Sequence, residues 1–312
     1  MVATVERLKT HAGFEIEQSL QILGLPRSTY FRWKTTGGKT ESIVRLTPKG
    51  HYLLPCEREA IIAFKREHPG IGYRRLTYMM LDEDVVATSP ATVLRVLTEA
   101  GLSTKWTQPA GGTHKKGFTQ PQNPHEQWHT DISYLNILGT HYFFMGVLDG
   151  FSRAILHHEI RTDMATEDVQ IVIQRTLEKV DLQTRPRMIT DNGGQYIALD
   201  FKNFLKDRDI SHSRTRPNHP QSNGKIERFH KSLKQEFVRI TSFSNLEEAR
   251  RLISEYVEEY NTKRLHASLN YLAPADWLKG IGHVEQRLAE RKHKLQEAAL
   301  NRRKQWEAKN AG

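Results

Sequence analysis

The chain has 312 residues, enough to bury a substantial core, and that length favours two domains or one domain with large appendages. Lys and Arg number 46 against 36 Asp and Glu, a formal charge of +10 that calls for an anionic partner, of which nucleic acid is the usual one. A single cysteine, Cys56, excludes a disulfide framework or a Cys-rich zinc site within the chain, and no run approaches the roughly 20 apolar residues of a membrane span, so the reading is of a soluble, cytoplasmic protein.

From Ile16 to Lys34 the chain reads IEQSLQILGLPRSTYFRWK. Ile16, Leu20 and Leu23 recur at helical spacing, Gly24 breaks the run, and Pro26 can open a second helix carrying Arg27, Arg32 and Lys34. Helix, turn and basic helix predict a DNA-binding unit over residues 1–50, with those three cations as candidate DNA contacts. A second unit of this kind is expected over residues 51–102. Its parts are a helix from Glu57 to His68, the turn HPGIG, a helix from Tyr73, and a third helix in SPATVLRVLTEAG. There Ser89 suits the N-cap, Pro90 the first helical position and Gly101 the stop. Thr92 and Arg95 are expected on the exposed, DNA-facing side of that third helix, with Val93, Leu94 and Leu97 packed inward. Residues 103–127 are rich in Pro and Gly without periodicity and read as a linker, whose Lys105, Lys115 and Lys116 can track phosphates.

Beyond the linker the pattern changes class. WHTDISYLNI, HYFFMGVLDG and RAILHHEIRT are β-rich runs joined by Gly-containing turns, which predicts an antiparallel meander. A helix follows from Thr166, taken as its N-cap, to Val180; then come a strand in RPRMITD, a helix in LDFKNFLKDRD, a fifth strand in SHSRTRP and a long helix in SNGKIERFHKSLKQEF. With the amphipathic helix NLEEARRLISEYVEEYNTKR, these elements predict an α/β domain over residues 128–278, a mixed five-stranded sheet flanked by helices and preceded by the all-α units. The tail, residues 279–312, is basic with few large apolar residues, and a solvated helix or frayed end is expected there.

Three carboxylates stand out in this domain. Asp131 lies in the first strand, Asp191 at the end of the fourth and Glu227 near the start of the long helix, with 35 residues between the last two. If the first and fourth strands are neighbours, both Asp side chains converge at one edge of the sheet and the helix leans Glu227 against them. Singly, each acid has a bland reading as a turn, a cap or a surface ion pair. Together they repel unless cations neutralise them, and oxygen-only ligands suit Mg²⁺ or Mn²⁺. Two such ions about 4 Å apart serve in-line phosphoryl displacement without a covalent protein nucleophile. Asn192, Gln221 and Asn223, set among Gly193 and Gly224, make both motifs poor for packing and suited to close approach of a phosphate backbone, and they join the candidate DNA contacts.

WHTDISYL, VLDGFSR, TDNGGQY and HPQSNGKIERFHKSLK resemble the retroviral-integrase-type catalytic core shared by bacterial insertion-sequence transposases, which carry two Asp and one Glu with the same final spacing. The resemblance covers roughly Gln127 to Leu278, about half the chain. YNTKRLHASLNYLAPADWL is similar to the family's C-terminal signature, except that Leu265 stands where Pro is common. The His/Cys zinc module of retroviral integrases cannot be built with one cysteine, which puts the chain on the transposase side. The resemblance implies an RNase H-like fold, two metal ions at Asp131, Asp191 and Glu227, nicking at terminal inverted repeats of double-stranded DNA, and transfer of the freed 3′-hydroxyls to target DNA in a bacterial cytoplasm. Two ends must be cut together, so at least a dimer is expected. Lys231 and Lys234, four and seven residues after Glu227, share its helical face, where the family places lysines against terminal DNA. The rival readings are an RNase H-like nuclease that never joins strands and a non-catalytic DNA-binding regulator.

Overall fold

The computed structural model describes residues 2–35, 52–103, 120–182, 184–215 and 223–310. Two compact units are present, one formed by Met1–Tyr52 with Asn301–Gly312, the other by Leu53–Leu300. Gln221 and the linker lysines Lys105, Lys115 and Lys116 lie outside the described residues.

In the first unit, α1 (Val2–Ala12), α2 (Ile16–Ile22) and α3 (Arg27–Thr35) enclose Val5, Leu20 and Tyr30. Gly24, at φ +61°, makes the turn between α2 and α3. The expected cations are exposed on α3, and two of them are paired: Arg27 with Glu17, and Lys34 with Glu6 at 2.7 Å. Tyr30 Oη also donates to Glu6, at 3.0 Å. The Lys34 hydrogen bond, followed by that from Tyr30, holds the Glu6 carboxyl below its usual value.

The second unit opens with three helices, α4 (Pro55–Glu67), α5 (Tyr73–Asp82) and α6 (Pro90–Glu99), packed on Ile61, Leu76, Met80, Val93, Val96 and Leu97. Ser89 caps α6 by accepting the Thr92 amide at 3.3 Å. The expected exposed face of α6 needs correction. Thr92 is buried, its hydroxyl bonded to that of Ser89 at 3.0 Å, whereas Leu94 is exposed. The N-terminal turn of a capped helix folds its third residue back on the cap, which takes Thr92 out of reach of DNA. Arg95 is exposed as expected.

The sheet has the order β3-β2-β1-β4-β5. Strands β1 (Gln127–Ile137), β2 (Thr140–Asp149) and β3 (Ile155–Arg161) form the antiparallel meander; β4 (Arg187–Thr190) and β5 (Ser211–Arg214) add in parallel beside β1. One face carries Trp128, Met145, Val147 and Met188 against α7 (Thr166–Lys179) and α9 (Leu199–Lys206). A short helix, α8 (Gly194–Ile197), precedes α9, and α7 is capped at Ala165, one residue before the expected Thr166. The other face carries Leu135, Ile137 and Phe144 against α10 (Gly224–Leu233) and α11 (Leu246–Thr262). After α10 the chain makes a π-helical turn, Lys234–Val238.

The tail is not a frayed end. After α12 (Pro274–Leu278), α13 runs from Ile281 to Asn310. Arg291 on α13 is buried, grips Asp82 of α5 through both carboxylate oxygens at 2.8 and 2.6 Å, and donates to the carbonyls of Asn270 and Tyr271 at 3.0 and 2.7 Å. Both of those residues have positive φ, and Tyr271 stacks on Tyr78 at 4.6 Å. The segment has few apolar residues because a guanidinium fork, not a hydrophobic stripe, anchors it.

Candidate active site

Alternation along β1 turns Asp131, Ser133, Leu135 and Ile137 toward the face on which α10 packs. Opposite Asp131 on β2 is Gly146, where a Cβ would come within 2.9 Å of the Phe144 ring. The missing side chain lets that ring lie over the strand, and it meets the rings of Phe229 and His230 at 5.6 and 5.7 Å. This packing seats α10, and with it Glu227, over the Asp131 end of the sheet. The start of α10 is fixed by Asn223. Its amide donates to the Thr130 carbonyl at 3.3 Å, and its Oδ1 lies 3.2 Å from His129 Nδ1, which must therefore be the donor. Burial, then the charge of Lys225, push His129 down to about 3, so the ring is neutral with its proton on Nδ1. Asn223 is thus a buried tie between helix and strand, and its expected DNA contact is corrected.

The three acids act on one another. Partial burial raises the Asp191 carboxyl above its ordinary value; the Gly193 amide, donating at 2.9 Å, opposes this and the charge of Asp131 adds to it. Glu227 is also raised, first by partial withdrawal from water and then by Asp131, with Asp191 adding and His230 opposing. Asp131 has its Oδ2 3.5 Å from Nδ1 of His230, a side chain buried to 7% exposure. Among the described residues no Lys or Arg forms an ion pair with any of the three. Nor does any trio of His, Cys, Asp or Glu among the described residues make a finished metal cage.

A cleft of about 480 Å³ opens beside these groups, lined by Asp131, Glu227, His230, Lys231, Lys234 and Arg239. Asp191 comes from the end of β4 and is not part of its wall. Lys231 and Lys234 therefore share the cleft with two of the acids, as their spacing predicts. Asn192 is exposed, but its amide is engaged with the Thr215 carbonyl at 2.8 Å. Sequence reasoning missed His230 and Arg239. His230 was legible as the residue one turn after Glu227; Arg239 reaches the cleft only because the π-helical turn follows α10.

A meander of three strands extended by two parallel ones, with an acid on the central strand and a second at the end of its parallel neighbour, defines an RNase H-like fold of the integrase type. The amino-acid sequence agrees: residues 121–220 and 208–274 each match an integrase core domain family, so this part of the chain is an integrase core domain. Most of the chain is also similar to proteins of bacterial insertion sequences. It is 23% identical over 278 residues to the InsK protein of insertion sequence element IS150 from Escherichia coli K12, covering 85% of this chain and 93% of that protein. It is 31% identical over 158 residues to the transposase of insertion sequence element IS904 from Lactococcus lactis subsp. lactis IL1403, covering 50% of this chain and 62% of that one. Among solved structures, an intasome of simian T-cell lymphotropic virus in complex with PP2A regulatory subunit B56 gamma aligns with a TM-score of 0.46 at 17% identity, covering 71% of this chain and 75% of that chain. The protein is a homologue of bacterial insertion-sequence transposases built on an integrase core.

Proposed function

We propose that this protein is a DNA transposase that binds the terminal inverted repeats of its mobile element, nicks the ends and joins the freed 3′-hydroxyls to target DNA, with Asp131, Asp191 and Glu227 as its metal-holding acids. The observation that carries this reading is the mutual action of three carboxylates, brought from β1, β4 and α10, within an integrase core domain. Their chemistry fits a hard divalent cation such as Mg²⁺ or Mn²⁺. The donors are oxygen only, no Lys or Arg among the described residues pairs with them, and such ions bind through few carboxylates while keeping waters and taking phosphate oxygens. When bound, two ions supply Lewis-acid stabilisation of the attacking and leaving oxygens.

The chain's own groups do the rest. Asp131, Asp191 and Glu227 concentrate negative charge at one end of the sheet. Lys231 and Lys234, point charges that hold phosphate but cannot ligate a metal, keep the DNA strand in the cleft beside Glu227. His230, wedged between Phe144 and Asp131, limits how the Asp131 carboxylate can turn. The test is a joining assay with labelled duplexes taken from the DNA that flanks the gene. Covalent transfer to plasmid in Mg²⁺ or Mn²⁺ is expected, and EDTA should abolish it. Cutting without transfer would leave a nuclease; binding without cutting would leave a regulator.

A further inference from the structure

On α10, Lys225 and Glu227 are two residues apart, so they point to opposite flanks of the helix. The flank turned away from the carboxylates holds a second concentration of positive charge. Lys225 Nζ is 2.7 Å from the Gly150 carbonyl, in the turn between β2 and β3, and Arg153 lies in the same turn. Arg153 has φ +67°, a left-handed backbone that a long L side chain rarely adopts, so the fold holds its side chain in place against local preference. Its guanidinium is half-buried, and none of its hydrogen bonds or ion pairs is found among the described residues.

Among the described residues the acid acting on both cations is Asp149, which is fully buried and already accepts three hydrogen bonds: from the His125 amide at 2.8 Å, the Ser152 amide at 2.7 Å and the Ser152 hydroxyl at 2.6 Å. Two like charges kept together in partial burial, with their acid already engaged in three hydrogen bonds, are destabilising unless a further anion comes to them. Among the described residues no hydrogen-bond acceptor takes the donors of the Arg153 guanidinium, although the charge of Asp149 acts on it. Arg228, exposed on α10 one turn after Lys225, extends the positive face outward.

We propose that Arg153 and Lys225 form a backbone-phosphate site for bound DNA, on the flank of α10 opposite the carboxylate cleft. The proposal rests on the transposase reading for the identity of its ligand. A planar guanidinium beside an ammonium matches one phosphodiester, and it selects no base sequence. DNA held at both flanks of α10 straddles the helix that carries Glu227, so contacts made here position the strand without touching the reacting atoms.

Arg153→Gln is the informative variant, because it removes the charge without removing any hydrogen bond found among the described residues. The free protein should melt at the same temperature as wild type or slightly higher. Affinity for a duplex of the element end should fall several-fold, and the slope of log affinity against log salt should shrink by about one, the share of one phosphate contact. Arg153→Lys should restore most of both. Methylphosphonate substitution, scanned along the end duplex, should weaken wild type at one position where Arg153→Gln loses nothing more. An unchanged affinity and salt slope in Arg153→Gln, with wild type binding normally, would overturn this site alone. A lowered melting temperature with no loss of DNA binding would also overturn it, making Arg153 a structural cation. Wild-type protein that binds no end duplex would overturn both this inference and the transposase reading.

Discussion

At Asp191 and Glu227 the charged form is disfavoured by partial burial and by the neighbouring acids. A carboxyl whose folded pKa lies above its unfolded value stabilises the fold while protonated, and that contribution is lost as pH rises from the ordinary carboxyl value, about 4, through the raised one. At neutral pH the fold therefore bears the repulsion. Asp191→Asn and Glu227→Gln should each melt higher than wild type at pH 7, and the gain should vanish as the pH falls below about 4. In the same proteins, joining should drop by at least about 10²–10³-fold, the scale of losing one preorganised charge stabiliser, with end binding retained. Calorimetric melts across pH and the joining assay check the two halves. In the proposed mechanism Lys231 and Lys234 hold the other reactant, DNA. Replacing both with Ala should reduce the salt slope of end binding by up to about two and leave Mn²⁺ binding, measured calorimetrically, nearly unchanged. The acids and lysines were legible because their spacing survives in one dimension. The place of His230 was legible too, but its contact with Asp131 was not, since that comes through the Gly146–Phe144 packing; Arg153 was not legible, since it sits in a turn whose backbone no residue pattern announces.

Among the elements, the ends of α6 and the antiparallel meander followed from caps, period-two alternation and turn residues, and the pairing of β1 with β4, supposed in the sequence reading, is present as a parallel one. What the pattern could not supply was the phase of a helix against neighbours far away in sequence, which is why Leu94 and Thr92 exchange their expected places. The tail is the larger case, because the amphipathic stripe that announces a docked helix is missing and Arg291 does the docking. Arg291→Ala should destabilise the protein by about 3 kcal/mol, the low end for breaking a buried ion pair, since Asp82 keeps partial access to water. Arg303→Ala, which loses only the exposed pair with Glu307, should cost well under 1 kcal/mol. Denaturant melts of the two variants compare them directly.

For the whole molecule, the transposase reading proposed above, which the basic balance and the integrase core support, requires two DNA ends to be brought to a single reaction. One carboxylate cluster serves one end at a time, so the active assembly should contain at least two copies of the chain. Adding Asp191→Asn protein to wild type should suppress joining beyond simple dilution; a strictly proportional loss would mean that single chains act alone. The central claim, that Asp131, Asp191 and Glu227 form one metal-dependent strand-transfer site, meets its most direct test in the transfer of a labelled element end to plasmid by wild type and the three single variants, with and without Mn²⁺. The account predicts joined product from wild type only, and only with metal. Joined product from any one of Asp131→Asn, Asp191→Asn or Glu227→Gln at near wild-type level would contradict it.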